Sequence, residues 1–138
     1  MTTVNPYIGF NGRCREAMEF YKTCLGGGEL FFVPVEGSPI AEQCPPAMKD
    51  QILHSSITKD GFVLMGTDMV GPGGYVHGNS IALSVNCGSA EELNALFTAL
   101  SAGGQVVDPV KQQFWGALFG MVTDKFGVGW MLSYELPK

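Results

Sequence analysis

The chain has 138 residues, 46% of them apolar, and this predicts one domain, or two small halves that share one core. The formal net charge is −5 and there is no run of lysine or arginine, which argues against binding to nucleic acid or to an anionic membrane. No apolar run has membrane-spanning length, residues 1–10 do not resemble a signal peptide, and the four cysteines lack C-x-x-C spacing, so we expect a reduced, cytoplasmic protein.

The first half of the chain predicts a strand, a helix and three further strands. Asn11 is the predicted cap of the helix, and the glycines at 26–28 predict where it ends. Pro34 indicates an edge position for the second strand, and residues 59–61 form a hairpin turn signal. The predicted elements lie at 5–10, 14–25, 29–35, 51–58 and 62–68.

The second half predicts the same order of elements. Ser89 and Glu92 form a capping box at the start of a helix, and the glycines at 103–104 end it. The predicted strands lie at 80–85, 105–110, 116–123 and 128–136.

The two halves align when one is shifted by 75 residues, so that Gly28 meets Gly103 and Pro34 meets Pro109. The predicted class is therefore α+β. We expect one domain, 1–138, made of a βαβββ module at about 1–70 and a second at about 78–138. Together the modules are predicted to form a curved, mostly antiparallel, concave sheet with the helices outside.

Two segments, NGRCREAMEFYK at 11–22 and FWGALFGMVTDKFGVGWML at 114–132, combine with this repeat into a recognisable pattern. The chain resembles the PhnB-like branch of the glyoxalase / bleomycin-resistance / extradiol-dioxygenase (vicinal oxygen chelate) superfamily over nearly its whole length. The resemblance implies paired βαβββ modules, usually a homodimer, and a cupped site that holds a divalent metal on His and Glu in the enzymes. Members of this branch have often been labelled 3-demethylubiquinone 3-methyltransferase.

The positions of the superfamily's metal ligands carry other residue types in this chain. They fall at Asn5 or Pro6, near Met65, at Ser80 and at Met131, none of which is His, Asp or Glu. Serine and asparagine are weak oxygen donors, and a thioether suits soft metals rather than Mg²⁺, Mn²⁺ or Zn²⁺. We therefore expect no metal in this site and no cofactor.

The cup of the sheet is the predicted site. His54 is its one titratable residue and the tentative catalytic residue, because histidine exchanges protons near neutral pH; it is expected to share a face with Ile52, Ser56 and Thr58. The alternative for His54 is a structural, hydrogen-bonded role. The alternative for the aromatic residues, including Trp130, is packing in the core, and the alternative for Asp68 is a turn or cap role. His77 is expected to be exposed in a glycine-rich loop. The predicted ligand-binding residues are Met65, Asp68, Ser80, Phe114, Trp115, Phe119 and Met131.

Three functions remain open on the sequence alone. The first is a protein that binds or sequesters a small molecule in an apolar, aromatic cup. The second is an enzyme of the same superfamily (a lyase, a dioxygenase-like enzyme or an isomerase) with a displaced site, in which His54 is the base or a metal ligand, assisted by Asp68 or Glu135. The third takes the methyltransferase label literally, although no G-x-G-x-x-G loop of a doubly wound cofactor-binding fold occurs.

Overall fold

Each half of the chain folds into a four-stranded mixed sheet with one helix, as seen in a computed structural model that describes residues 1–137. The chain divides into two compact units, Met1–Val76 and a second that begins at His77. Within residues 1–137 no helix is both long enough and apolar enough to cross a bilayer. All four cysteines are free thiols.

The first unit contains four strands, one α-helix and two single-turn 3₁₀ helices, Ala41–Gln43 and Pro46–Met48. Its strands follow the order β1-β4-β3-β2, in which β1 and β4 run parallel and the other pairs run antiparallel. Pro34 ends the edge strand β2, as the sequence predicts. The elements are β1 (Tyr7–Gly9), α1 (Cys14–Cys24), β2 (Glu29–Pro34), β3 (Ile52–Lys59) and β4 (Phe62–Thr67).

The second unit repeats this topology. Its sheet has the order β5-β8-β7-β6, in which β5 and β8 run parallel and the other pairs run antiparallel. The predicted α+β class and the two βαβββ modules are therefore confirmed. The elements are β5 (Ala82–Asn86), α2 (Ala90–Ser101), β6 (Gln105–Gln112), β7 (Ala117–Thr123) and β8 (Gly129–Glu135).

Each helix buries one stripe against the middle of its own sheet. In α1 the predicted apolar stripe is fully buried through Cys14, Ala17, Met18 and Tyr21. Gly66 in β4 permits this close packing, since a Cβ at that position would lie 3.1 Å from the Met18 Sδ and 3.2 Å from the Cys14 Sγ. Glycine thus lets the helix approach the sheet more closely than any other residue would.

The prediction that Asn11 caps α1 is wrong. The helix begins at Cys14, its N-cap residue is Arg13, and the Arg13 side chain makes no capping hydrogen bond to the helix backbone. Asn11 instead adopts a positive φ of 49° in the turn before the helix, a conformation that asparagine tolerates. In α2, by contrast, the Ser89 hydroxyl accepts a hydrogen bond from the Glu92 backbone N–H at 3.1 Å, as predicted.

Candidate functional site

The face of the first sheet that is turned away from α1 carries the residues of interest, and we call it the first open face. Side chains alternate between the two sides of a strand, so Gly66, which contacts the helix, places its neighbour Met65 on the opposite side. Met65 pairs with Ser56 on β3 and with Tyr7 on β1, and Ser56 pairs with Phe31 on β2. These four residues form a row across the sheet, in which Tyr7 is 55% and Phe31 is 60% exposed.

His54 lies next to this row, on the same open face. It pairs with Val33 of β2, and its ring stacks on the ring of Tyr7, with 6.1 Å between the centroids and 20° between the planes. Ser56 shares the face of His54 as predicted, whereas Ile52 is fully buried. The ladder shifts register between Val33 and Pro34, opposite Ile52, and this irregularity breaks the alternation that the sequence suggested.

The corresponding face of the second sheet, turned away from α2, is the second open face. A Cβ on Gly120 would lie 2.8 Å from the Phe97 ring of α2, which assigns Gly120 to the helix side. The side chains that follow alternate, and Met121 therefore lies on the open face, where it pairs with Met131. Met131 also pairs with Ser84 of β5, so the two methionines and this serine form one row.

Three aromatic rings continue the second open face toward the start of β7. Phe119 is two residues from Met121 and pairs with Ser133, which places both on the open face. The Trp115 ring meets the Phe119 ring edge to face at 5.8 Å, and the Phe114 ring meets Trp115 in the same way at 5.0 Å. Phe114 is 96% and Trp115 is 54% exposed, so much of this aromatic surface is open to a ligand.

Trp130 does not belong to either open face. It pairs with Val122 on the helix side of the second sheet and is only 3% exposed. Its indole N–H donates a hydrogen bond of 2.8 Å to the carboxylate of Asp124, which also accepts bonds from the backbone N–H groups of Phe126 and Val128. Asp124 thus organises the β7–β8 turn and holds the Trp130 side chain in place. The acid six residues before a tryptophan was the available signal.

Asp68 has its carboxylate committed to the backbone. One oxygen accepts hydrogen bonds from the N–H groups of Gly12 at 2.7 Å and Cys14 at 2.9 Å, and the other accepts from Ile52 at 2.9 Å. Asp68 is 2% exposed. It therefore supplies the helix cap that Asn11 does not, and the same carboxylate ties α1 to the start of β3. Its predicted contact with a ligand stays untested, and these bonds favour the cap role.

Ser80, and Asn5 or Pro6, are the residues that the resemblance assigns to the remaining metal-ligand positions of the superfamily. Ser80 is exposed just before β5, and Asn5 is half-buried just before β1. Neither residue type offers the imidazole or carboxylate that Zn²⁺, Mn²⁺ or Fe²⁺ prefers, and the thioethers of Met65 and Met131 do not replace them. Within residues 1–137 no group of three His, Cys, Asp or Glu side chains lies close enough to hold a metal. The residues present do not fit the superfamily's metal.

The second histidine takes part in a turn contact. A ring nitrogen of His77, Nε2, lies 2.7 Å from the carbonyl oxygen of Gly127 in the β7–β8 turn, and His77 is exposed as predicted.

A shallow recess lies elsewhere, at the C-terminal end of α1, and contains none of the predicted site residues. It is lined by Glu19, Lys22, Thr23, Gly26, Gly27 and Leu30.

The two buried cysteines are poor nucleophiles. Burial is the main reason that the pKa of the Cys14 thiol rises to about 11, and the nearby carboxylate of Asp68 adds to this, while a contact with the Ser55 hydroxyl at 3.2 Å opposes it. Burial, with a smaller contribution from Glu92, also raises the pKa of Cys87 to about 11. A thiol that stays protonated at neutral pH does not attack electrophiles, so these two cysteines are core residues.

Comparison with known proteins places the chain in a family. A family model described as 3-demethylubiquinone-9 3-methyltransferase matches residues 2–133. Protein YjdN of Escherichia coli K12 is 31% identical over 94% of this chain and 93% of its own length. Protein PA1353 from Pseudomonas aeruginosa is 39% identical, with a TM-score of 0.86 over 99% of this chain and all of that one.

More distant structures share the fold. A putative 3-demethylubiquinone-9 3-methyltransferase, a PhnB protein from Bacillus cereus, has a TM-score of 0.75 at 24% identity and covers 96% of this chain and 99% of its own. A glyoxalase/bleomycin resistance protein from Albidiferax ferrireducens has a TM-score of 0.65 at 14% identity, over 97% of this chain and 99% of its own. The chain therefore belongs to the 3-demethylubiquinone-9 3-methyltransferase family, and it shares its fold with a glyoxalase/bleomycin resistance protein.

Proposed function

We propose that the protein binds a small molecule on its open faces and does so without the metal of its superfamily. The second open face carries most of the support. On β8, Trp130 and Leu132 point to the helix and are buried, whereas Met131 between them is only half-buried. When a ligand covers an apolar side chain that the protein leaves partly exposed, apolar surface is removed from water and the free energy falls.

The first open face supports the same proposal with a polar anchor. His54 and Met65 are half-buried, and Tyr7 and Phe31 are mostly exposed. Binding sites combine apolar walls with a few placed polar groups, and His54 supplies a ring nitrogen that donates or accepts a hydrogen bond. His54 is thus proposed as a ligand anchor rather than a catalytic base.

Tryptophan fluorescence tests binding, because the two tryptophans lie in different surroundings. A thermal-shift screen of metabolites first selects compounds that stabilise the protein. A ligand on the second open face should then change the emission of the exposed Trp115 and leave that of the buried Trp130 unchanged. The Trp115→Phe variant should lose the change while its Trp130 emission still reports a folded protein.

Two further variants locate the site independently of fluorescence. We expect Met131→Ala to reduce the thermal shift caused by a ligand bound to the second open face, and His54→Ala to reduce the shift caused by a ligand bound to the first. A ligand whose thermal shift survives both substitutions binds elsewhere, and that result would contradict the proposed site.

The metal-free part of the proposal has its own measurement. Elemental analysis of the purified protein should find Zn, Mn, Ni and Fe far below one atom per chain, because the donor set offers no imidazole or carboxylate at the superfamily's positions. About one metal per chain, lost in Ser80→Ala, would overturn it.

The enzymatic alternatives have less support from the geometry. The candidate partners of His54 were Asp68 and Glu135. The oxygens of Asp68 already accept three backbone hydrogen bonds, and Glu135 belongs to the other sheet. The methyltransferase activity in the family's name requires a methyl donor, so S-adenosylmethionine belongs in the thermal-shift screen. Stabilisation by that compound would favour the methyltransferase.

We also propose that the protein works as a homodimer in the cytoplasm. Exposed apolar side chains on the strands argue for a partner surface, and the four free cysteines suit a reducing compartment.

A further inference from the structure

The structure also points to the class of ligand. Resting on the proposed function, we propose that the second open face binds a planar aromatic ring system that carries no negative charge. The inference draws on three features of this face: its aromatic rings, its paired thioethers and the balance of charge beside it.

The rings Phe114, Trp115 and Phe119 are arranged edge to face. The interplanar angle is 88° for the first pair and 73° for the second. In such an arrangement each ring exposes either its electron-rich face or its electron-poor edge. A further flat ring can pack against either one in a favourable orientation. A saturated ring has no such quadrupole and gains only from burial.

The thioethers of Met121 and Met131 add a second preference for aromatic ligands. Met121 on β7 and Met131 on β8 are directly paired, and both are half-buried. Met121 lies two residues after Phe119 on the same strand. Sulfur is polarisable and makes favourable contacts with the edges of aromatic rings, and unbranched methionine adapts to ligands of different outline. A row of two sulfur atoms beside exposed rings therefore favours a flat, polarisable molecule.

The charges beside this face offer no free positive charge to an anion. The edge strand β6 carries Asp108, paired with Met121, and Lys111, paired with Phe119. Lys111 Nζ lies 3.8 Å from Asp108 Oδ1, and the pair contributes no net charge. Glu135, at the end of β8, adds an exposed carboxylate on the same side of the sheet. An anionic ligand would therefore lose hydration on this apolar face and meet a further negative charge, so the electrostatics disfavour an anion.

Three compounds of similar outline test the inference by isothermal titration calorimetry at neutral pH. The first is 2-naphthol, which is flat and uncharged. The second, decahydro-2-naphthol, keeps the hydroxyl and the two rings but is saturated. The third, 2-naphthoate, keeps the flat rings but carries a charge. We expect 2-naphthol to bind about tenfold more tightly than the saturated alcohol, and more tightly than the acid.

Variants assign the preference to the sulfur atoms. Met121→Leu and Met131→Leu keep the apolar volume but remove the thioether. Each should reduce the preference for 2-naphthol over its saturated analogue by about threefold, with smaller changes in the affinity for the saturated alcohol. Met18→Leu, a substitution in the core beneath α1, is the matched control and should leave both affinities unchanged.

The outcomes separate this inference from the proposed function. Equal affinity for the flat and saturated alcohols, or tighter binding of 2-naphthoate, overturns the ligand class and leaves small-molecule binding intact. If none of the three compounds binds, the inference fails, and the metabolite screen then decides whether the proposed function fails with it.

Discussion

At the scale of single residues, Asp68 makes the contact with the largest expected effect on stability. Asp68→Asn keeps the shape but replaces one acceptor oxygen by an amide donor that faces a backbone N–H. We expect the free energy of unfolding to fall by about 2 kcal/mol, because a buried N–H loses its charged acceptor. Urea unfolding followed by circular dichroism measures the loss.

Asp50→Asn is the matched control, since Asp50 is exposed in the loop before β3. It should change stability by less than about 0.5 kcal/mol. If the two variants unfold at the same urea concentration, Asp68 does not hold α1 to β3. A turn or cap role was one interpretation of Asp68 from the sequence, but the partners of this cap could not be identified, because Gly12 and Cys14 lie 56 and 54 residues away. Asn11 was the better local candidate, and a long-range hydrogen bond replaced it.

Cys14 gives the molecule a sensitivity to alkaline pH. Its folded-state pKa of about 11 lies above the ordinary value of 9.0, so the folded state keeps its proton after the unfolded state has lost it. The stability that Cys14 contributes is complete below pH about 9 and is lost as the pH rises through about 11. The loss should reach about 2 kcal/mol by pH 11, relative to a variant without this thiol.

Urea unfolding of the wild type and of Cys14→Ala under reducing conditions, at several pH values, isolates this effect from the other titrating groups. Removing a fully buried side chain makes the variant less stable below pH 9. The stability difference between the two proteins should then narrow as the pH rises toward 11. A difference that stays constant over this range would show that the thiol does not titrate with the fold.

At the scale of elements, the contact between each helix and its sheet depends on one glycine. Gly66→Ala should lower the free energy of unfolding by about 1–3 kcal/mol, because the new Cβ would lie 2.8 Å from the Phe10 ring and the packed neighbours would have to shift. Differential scanning calorimetry would record a lower Tm. Gly73→Ala is the control, since no other atom lies within 4 Å of its Cβ position. An equal Tm for the two variants would contradict the tight contact.

The elements were largely predictable from the sequence, whereas details of their faces were not. Helical spacing identified the buried stripe of α1, and β-prone runs between glycine and proline signals identified the strands. Phe119 and Met131 were both predicted to line the cup, Met131 through the family resemblance, and they lie on one face of the second sheet. Ile52 departs from the pattern because the ladder next to it shifts register: His54 and Ile52 pair with the consecutive residues Val33 and Pro34, which leaves an extra residue on β3 between them. Such a bulge involves the pairing of two strands that are distant in sequence, and the sequence of one strand does not reveal it.

At the scale of the whole molecule, we predict a homodimer. The outer strands of each sheet, β1 and β2 in the first and β5 and β6 in the second, have one strand neighbour each within the chain. Val107 on β6 is 56% exposed and Phe31 on β2 is 60% exposed. Exposed edges with apolar side chains favour association. Light scattering at micromolar concentration should give twice the chain mass of 14.8 kDa, and a monomer would count against the prediction.

The parallel pairing in each unit also constrains the order in which the strands of that unit can pair during synthesis. β1 has its one strand neighbour in β4, which is the last strand of the unit to be synthesised, and β5 stands in the same relation to β8. The hairpin of β3 and β4 forms from local contacts, while β1 must close a long loop before it gains a ladder. During synthesis on the ribosome, Tyr7 and Ile8 therefore cannot pair with β4 until the segment Phe62–Thr67 has left the exit tunnel. A chaperone that binds the nascent chain would meet the first strand, rather than the hairpin, as its exposed substrate.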